Sequence, residues 1–222
     1  MTTWEDFKVD LPLGKHGDVA IGRIKFFPNS GPDIMYRLEQ QVGVRGRSCP
    51  AGQYTALYRN GELWMSDTRA EIRDQEGCFR QVRRRGGRIL VNGLGLGMFV
   101  KACLALPNVT HVDVVDIDPD VVALIGPHYE SERCTIHLAD AYEIQWPVGS
   151  HWTVAWHDIW QTIGTANGPE ITRLKRKYGS RADYQEAWVK GEVKRMKDPR
   201  SMRNWDDNPA LTALLESLVG TP

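Results

Sequence analysis

The run Ile89-Leu90-Val91-Asn92-Gly93-Leu94-Gly95-Leu96-Gly97-Met98 decides the fold. Arg88 to Val91 reads as a short apolar strand. Gly93 to Gly97 reads as a glycine-rich turn, and Met98 to Leu106 as a helix stopped by Pro107. Glycine suits such a turn because it tolerates unusual φ and ψ and lets another group approach the backbone. The helix that follows presents unpaired N–H groups at its start, where a carboxylate or phosphate is favoured. A tight connection without a ligand is the plain structural reading of the same run.

Toward the C-terminus the alternation continues. His111 to Val115 is strand-like and runs into Asp116-Ile117-Asp118-Pro119. Asp118-Pro119 opens a helix, with Asp as the cap and Pro in the first turn. Asp116 has no such local role. It falls about 20 residues after the glycine turn, at the end of the next strand, where an acid holds the two hydroxyls of a ribose. Cys134 to Leu138 is a third strand, followed by Ala139-Asp140-Ala141-Tyr142. Asp140 is placed to accept from an adenine amino group, or to cap a turn. Thr153 to His157 is a fourth strand, ending at Asp158. Strands alternating with helices imply an α/β, Rossmann-like fold: a mostly parallel sheet with helices on both faces.

Toward the N-terminus, Tyr54 to Arg59 and Glu62 to Met65 are strand-like and flank Asn60-Gly61, a dipeptide suited to a two-residue hairpin. Thr68-Arg69-Ala70-Glu71 has capping-box spacing, so a helix is expected from about Arg69 to Arg84, ended by Gly86-Gly87. Residues 1 to 53 are Gly- and Pro-rich, and only Val19 to Phe27 reads as a strand. The expected organisation is an N-terminal β-rich region over 1–68 and a cofactor-binding domain over 69–222. After Trp160 only helices are expected, at Pro169 to Tyr178, Arg181 to Lys197 and Pro209 to Leu218.

Composition narrows the classes. The 222 residues include 28 basic and 28 acidic side chains, so no global field draws the chain to nucleic acid or anionic lipid. Cys49, Cys78, Cys103 and Cys134 form no CxxC pair and read as reduced thiols of a cytoplasmic protein. The first residues lack a signal-peptide pattern, and no apolar run reaches the ~18 residues of a membrane span. The six histidines show no metal-ligand spacing, so no metal is expected. Arg83-Arg84-Arg85 and the basic segment from Arg173 to Arg203 read as solvated faces. They leave a nucleic-acid partner open beside a small-molecule one, and a homo-oligomer is open too.

These landmarks resemble the class I S-adenosylmethionine-dependent methyltransferases over about residues 88–160. The flanks are similar to the family's spermidine-synthase-like branch. The resemblance implies S-adenosylmethionine as cofactor. It implies cofactor binding by Asn92, Gly93, Gly95, Gly97, Asp116, Asp140 and Ala141, with Asn92 standing where the family usually has an acid. It also implies that Asp158 takes a proton from the attacking amine, where the branch usually continues Asp-Ser and this chain continues Ile159-Trp160. His157 beside it reads as an acid/base partner. Trp160 reads as a stacking surface for substrate, or as packing.

Three classes follow. The first is a methyltransferase of unknown acceptor, with an aminopropyltransferase as its close relative; Glu62, Asp67 and Glu71 are then the acids available to a polyamine. The second is a non-catalytic binding module, favoured by the lack of late strands. The third is a nicotinamide-dependent oxidoreductase, disfavoured because the turn lacks the further glycine of the dinucleotide fingerprint.

Overall fold

A computed structural model describes residues 4–41, 47–161 and 167–188. The decisive run forms β5 (Gly87–Asn92), the glycine turn, and α3 (Met98–Leu104). Around β5 lies a five-stranded sheet with the order β7-β6-β5-β8-β9, where β6 is Val109–Asp116, β7 Cys134–Leu138, β8 Val154–His157 and β9 Gln185–Ala187. Every pairing in it is parallel. Such strands are buried on both faces, which is why β5 reads as an unbroken apolar run.

The period-two alternation of strand side chains divides the sheet into two faces. Ile89, Val91, Val112, Val114, Val154 and Trp156 join one apolar cluster. Over this first face lie α2 (Arg69–Arg85), α3 and α4 (Pro119–Ile125). Leu90, Val115, Ala155 and Trp152 meet Leu174 and Tyr178 on the second face, where α5 (Asn167–Lys177) packs. Helices thus cover both faces, as the alternation of elements requires.

The N-terminal part forms a separate antiparallel meander, β1 (Gly14–His16), β2 (Val19–Phe26), β3 (Gly52–Arg59) and β4 (Glu62–Ser66), in that spatial order. Asn60 and Gly61 have φ of 50° and 82°, as the hairpin turn requires. The meander ends at Ser66, just before α2, yet its Val19, Ile21 and Leu57 belong to the first-face core with Phe7 and Val9. Buried Asp67 fixes the join by accepting from the N–H groups of Thr55 (2.7 Å) and Val9 (3.2 Å). Two elements here went unread in the sequence, β1 and α1 (Gly31–Gln41). Helix α1 buries only Asp33, and its short stripe of Ile34, Met35 and Leu38 was not singled out.

Two expectations about chain ends are corrected. Helix α2 starts at Arg69 as expected, but Thr68 makes no side-chain capping bond. Its hydroxyl accepts instead from Ser66 (3.2 Å), and Glu71 ion-pairs with Arg47 (3.3 Å). The helix expected over 181–197 is replaced in its described part by a strand. Tyr184, Ala187 and Trp188 have helical spacing, but Gln185–Ala187 pairs with β8 as the sheet's fifth strand. The expectation that strands stop after Trp160 fails with it. The remainder of that helix, and the one expected at 209–218, lie outside the described residues.

Asp118 caps α4 as read, accepting from the Asp120 N–H at 2.9 Å, and pairs with Arg59 at 2.8 Å. Asp118→Ala is therefore expected to destabilise the fold by about 1 kcal/mol or more, because it removes a cap and leaves Arg59 without its carboxylate. Urea denaturation measures this, and an unchanged midpoint would contradict the capping role.

Candidate functional site

The strand order creates the site. The chain builds outward from β5 to β6 and β7, then returns past β5 to β8 and β9. Between β5 and β8 the direction of winding reverses, so the loops after these two strands diverge and leave a crevice beyond their C-terminal ends. A cavity of about 670 Å³ occupies this place. Its floor carries Gly93, Leu94 and Gly95 from the β5 loop and Asp158 to Trp160 from the β8 loop. One wall carries Asp116 at the end of β6 and Asp118 just after it, with Asp140 and Ala141 after β7. The N-terminal hairpin closes another wall with Leu57, Arg59, Trp64 and Met65.

The glycine turn is held from several sides. Gly93 has φ 97°, and a Cβ there would collide with the Asp158 carbonyl. Gly95 has φ 50°, and a Cβ there would meet the Met65 sulfur at 2.5 Å. Met65 Sδ also accepts from the Leu96 N–H at 3.3 Å. Gly97 leads into α3 and abuts the ring of Tyr129. Each glycine thus admits a protein neighbour at close range, and Gly93 and Gly95 also border open space in the cavity.

Asp116 ends β6 with both oxygens engaged. One accepts from the Leu94 N–H at 2.7 Å and the other from the Asp118 N–H at 2.9 Å. A carboxylate has about four acceptor positions, and the Gly95 N–H also bears on this one, so room remains for a further donor. Burial raises its pKa against the pull of these N–H groups, and the Asp118 charge adds to the rise. Asp140 accepts from the Tyr142 N–H at 2.7 Å, which is the turn role weighed for it, and it also lines the cavity.

Asp158 stands apart electrostatically. Its backbone N–H continues the sheet to the Asn92 carbonyl at 2.7 Å, while its side chain borders the cavity. Burial, together with the negative charges of Glu71 and Asp74, pushes its pKa up to about 7, against a hydrogen bond with Trp156. A carboxyl group poised near neutrality inside a crevice suits proton transfer.

Two sequence expectations are not met. His157 precedes Asp158 on the strand, so its side chain turns to the opposite face. It is fully buried, its Nδ1 faces the Asn92 amide nitrogen at 2.8 Å, and its Nε2 faces Gln185 Oε1 at 3.1 Å. Gln185 donates its own amide to the Lys175 carbonyl, so its oxygen faces the ring and Nε2 carries the hydrogen. Burial lowers the His157 pKa to about 4, so the ring is neutral and satisfied, and no acid/base pair with Asp158 forms. Asn92 shares this second-face network and is likewise outside the cavity wall. Trp160 does line the cavity, and its indole N–H donates to Glu170 at 2.7 Å. Of the acids considered for a polyamine, Glu71 lines the cavity, Asp67 is buried in backbone bonds, and Glu62 sits exposed at the hairpin end.

Met65, Gln75 and Trp188 also line the cavity and were not singled out in the sequence. Gln75 had a readable signal: it interrupts the stripe of Ile72, Phe79 and Val82 on α2. Among the described residues there is no cluster able to hold a metal and no helix long and apolar enough to cross a membrane.

No family model and no curated protein matches the sequence. Among solved structures the chain is similar to the N-methyltransferase NodS of Bradyrhizobium japonicum, at 8% identity and TM-score 0.40, over 50% of this chain and 61% of that one. It is also similar to an S-adenosylmethionine-dependent methyltransferase of Mesorhizobium loti, at 19% identity and TM-score 0.38, over 49% of each chain. A third similarity is to spermidine synthase of Thermotoga maritima, at 12% identity and TM-score 0.38, over 65% of this chain and 46% of that one. The matched part therefore spans less than two thirds of each of these proteins.

The raised pKa of Asp158 carries a stability consequence. Its folded value of about 7 exceeds the ordinary 3.8, so the unfolded chain releases this proton at lower pH than the folded chain does. Its contribution to stability is present below about pH 4 and is lost as the pH rises through about 7. Asp158→Asn removes that loss. The variant is expected to gain melting temperature relative to the parent between pH 5 and 8, by about 2–4 °C per kcal/mol released. A difference that stays constant across that range would contradict the burial of this carboxyl.

Proposed function

We propose that the protein is an S-adenosylmethionine-dependent methyltransferase acting on a small molecule. One observation carries this reading: a single cavity at the switch point brings together the glycine turn, Asp116, Asp140 and a carboxyl poised near neutrality. Asp116 would hold a ribose hydroxyl with its remaining acceptor position. Asp140 and the backbone beside Ala141 would face the adenine, and the Gly93–Gly95 turn would lie along the methionyl part. Leu96 N–H is capped only by a thioether, a weak acceptor, so a carboxylate competes well for it. When bound, the cofactor supplies an electrophilic methyl group on a cationic sulfur. Asp158 is the group placed to accept a proton from the attacking atom.

The case for a non-catalytic module rested on absent late strands and the lost Asp-Ser; β9 supplies one such strand, and Asp158 is still followed by Ile159. Aminopropyl transfer stays as the second reading, favoured by the carboxylates Glu71 and Asp158 at one end of the cavity. The four cysteines are free and buried, which supports a reducing, cytoplasmic setting.

S-adenosylhomocysteine is expected to raise the melting temperature more than NAD does. At ~100 times its dissociation constant a ligand adds about 2.7 kcal/mol. Equal or greater stabilisation by NAD would sink the proposal. Asp158→Asn is expected to keep S-adenosylhomocysteine affinity while lowering turnover ~10² to 10⁴-fold, the share of a general base.

A further inference from the structure

A second cavity, of about 340 Å³, lies between α5 and the chain that follows β7. It shares one lining residue, Tyr142, with the switch-point cavity. Arg173, Lys177 and Arg181 line it, and among the described residues no acid does. These cations belong to the basic segment that reads in the sequence as a solvated face. Arg173 and Lys177 are four residues apart on α5, hence on one side of the helix, and Arg181 follows just after its end. The fold therefore turns part of that segment inward onto a pocket.

The three charges feel one another. Burial lowers the Lys177 pKa, and repulsion from Arg173 and Arg181 adds to the fall against the pull of Glu143 and Asp140. Glu143 pairs with Arg173 at 2.7 Å, but both side chains are about two-thirds exposed, and such pairs are weak. Donors remain to be used. Lys177 gives two of its three N–H groups to the carbonyls of Tyr142 and Ile144, each at 2.7 Å. Arg181 gives one guanidinium nitrogen to the Pro147 carbonyl at 3.1 Å, and Arg173 gives one to Glu143. A guanidinium has five N–H groups, so each of the three side chains keeps at least one donor for an anion.

We propose that this second cavity, with Arg173, Lys177 and Arg181 as its donors, binds a phosphate monoester of about sugar size. The three terminal oxygens of a phosphate match donors arriving from three side chains, and its double charge offsets their mutual repulsion. A carboxylate offers two oxygens and a single charge. The volume falls near the small end of the range for ligand pockets, ~300 to 1,000 Å³. A nucleic-acid strand fits less well. Strand binding uses a row of exposed rings and a strong positive field. Here Trp146 is already packed edge-on against His137 and Trp152, and the chain's 28 acids match its 28 bases. None of the three cations lines the switch-point cavity, so the site is separate from the proposed methyl-transfer chemistry.

Calorimetric titration of the full chain with ribose 5-phosphate, ribose and a short thymidine oligonucleotide tests this. Ribose 5-phosphate is expected to bind at least about tenfold more tightly than ribose. Arg173→Gln and Arg181→Gln are each expected to weaken it roughly threefold or more. Arg176→Gln removes the same charge from the same helix outside the cavity, and is expected to leave the affinity unchanged. Nuclear magnetic resonance of the parent chain needs no variant: ribose 5-phosphate is expected to shift the indole N–H of Trp146, which lines this cavity. Equal binding of ribose and its phosphate overturns the proposal, as does an equal loss in all three variants. Tighter binding of the oligonucleotide overturns it in favour of a nucleic-acid surface. Shifts confined to the indoles of Trp64, Trp160 and Trp188 overturn it by placing the ligand in the switch-point cavity. None of these results depends on S-adenosylhomocysteine binding, so the site stands or falls apart from the cofactor reading.

Discussion

The carboxylate of Asp116 ties the crevice together. It accepts from the Leu94 N–H and the Asp118 N–H, so it clamps the turn after β5 to the turn after β6. The dependences then run outward. Asp118, held by that clamp, caps α4 and pairs with Arg59. Arg59 ends β3, and so anchors the hairpin whose other strand places Met65 against the glycine turn. One acid at a strand end thereby positions the floor and the lid of the same cavity. Charge-assisted bonds to backbone N–H groups are among the stronger hydrogen bonds, which suits a residue in this role.

Polar groups inside the molecule fall into two kinds. Asp67, Asp113 and His157 are buried and satisfied. Asp113 meets Arg88 at 2.6 Å and the Trp152 indole at 2.7 Å, and burial is outweighed so that its pKa falls. Asp158 and Gln75 border the cavity instead, one with a pKa raised by burial and one with an oxygen unpaired among the described residues. Keeping such groups lowers stability, and strained or unsatisfied groups concentrate where a ligand completes them. The contrast follows strand parity: His157 and Asp158 are neighbours in sequence, one satisfied beneath α5 and the other bordering the cavity.

Local signals carried much of the fold. The glycine run, the Asn60-Gly61 hairpin and the Asp118-Pro119 cap each depend on a few adjacent residues, and each appears where those residues place it. Strand β7 has the limits read for it. What escaped depends on distant partners. Strand β9 is three residues long and becomes a strand only because β8 offers it an edge. Helix α1 carries Ile34, Met35 and Leu38 at helical spacing, but the stripe is short and stays largely uncovered in the fold. For the site, Asp116, Asp140 and Asp158 do line one cavity, as their strand-end positions suggested. Asn92 and His157 do not, because strand parity turns them to the face covered by α5. Met65 reaches the crevice only through tertiary structure, whereas Gln75 announced itself as a polar break in the apolar stripe of α2.

The switch-point cavity is the proposed cofactor site. A crystal structure of the complex with S-adenosylhomocysteine tests it most directly. The account predicts the ribose on Asp116, the adenine beside Asp140, the sulfur facing Asp158, and Met65 withdrawn from the Leu96 N–H. A ligand bound elsewhere, or bound here with its sulfur turned away from Asp158 and Met65 still in place, would contradict it.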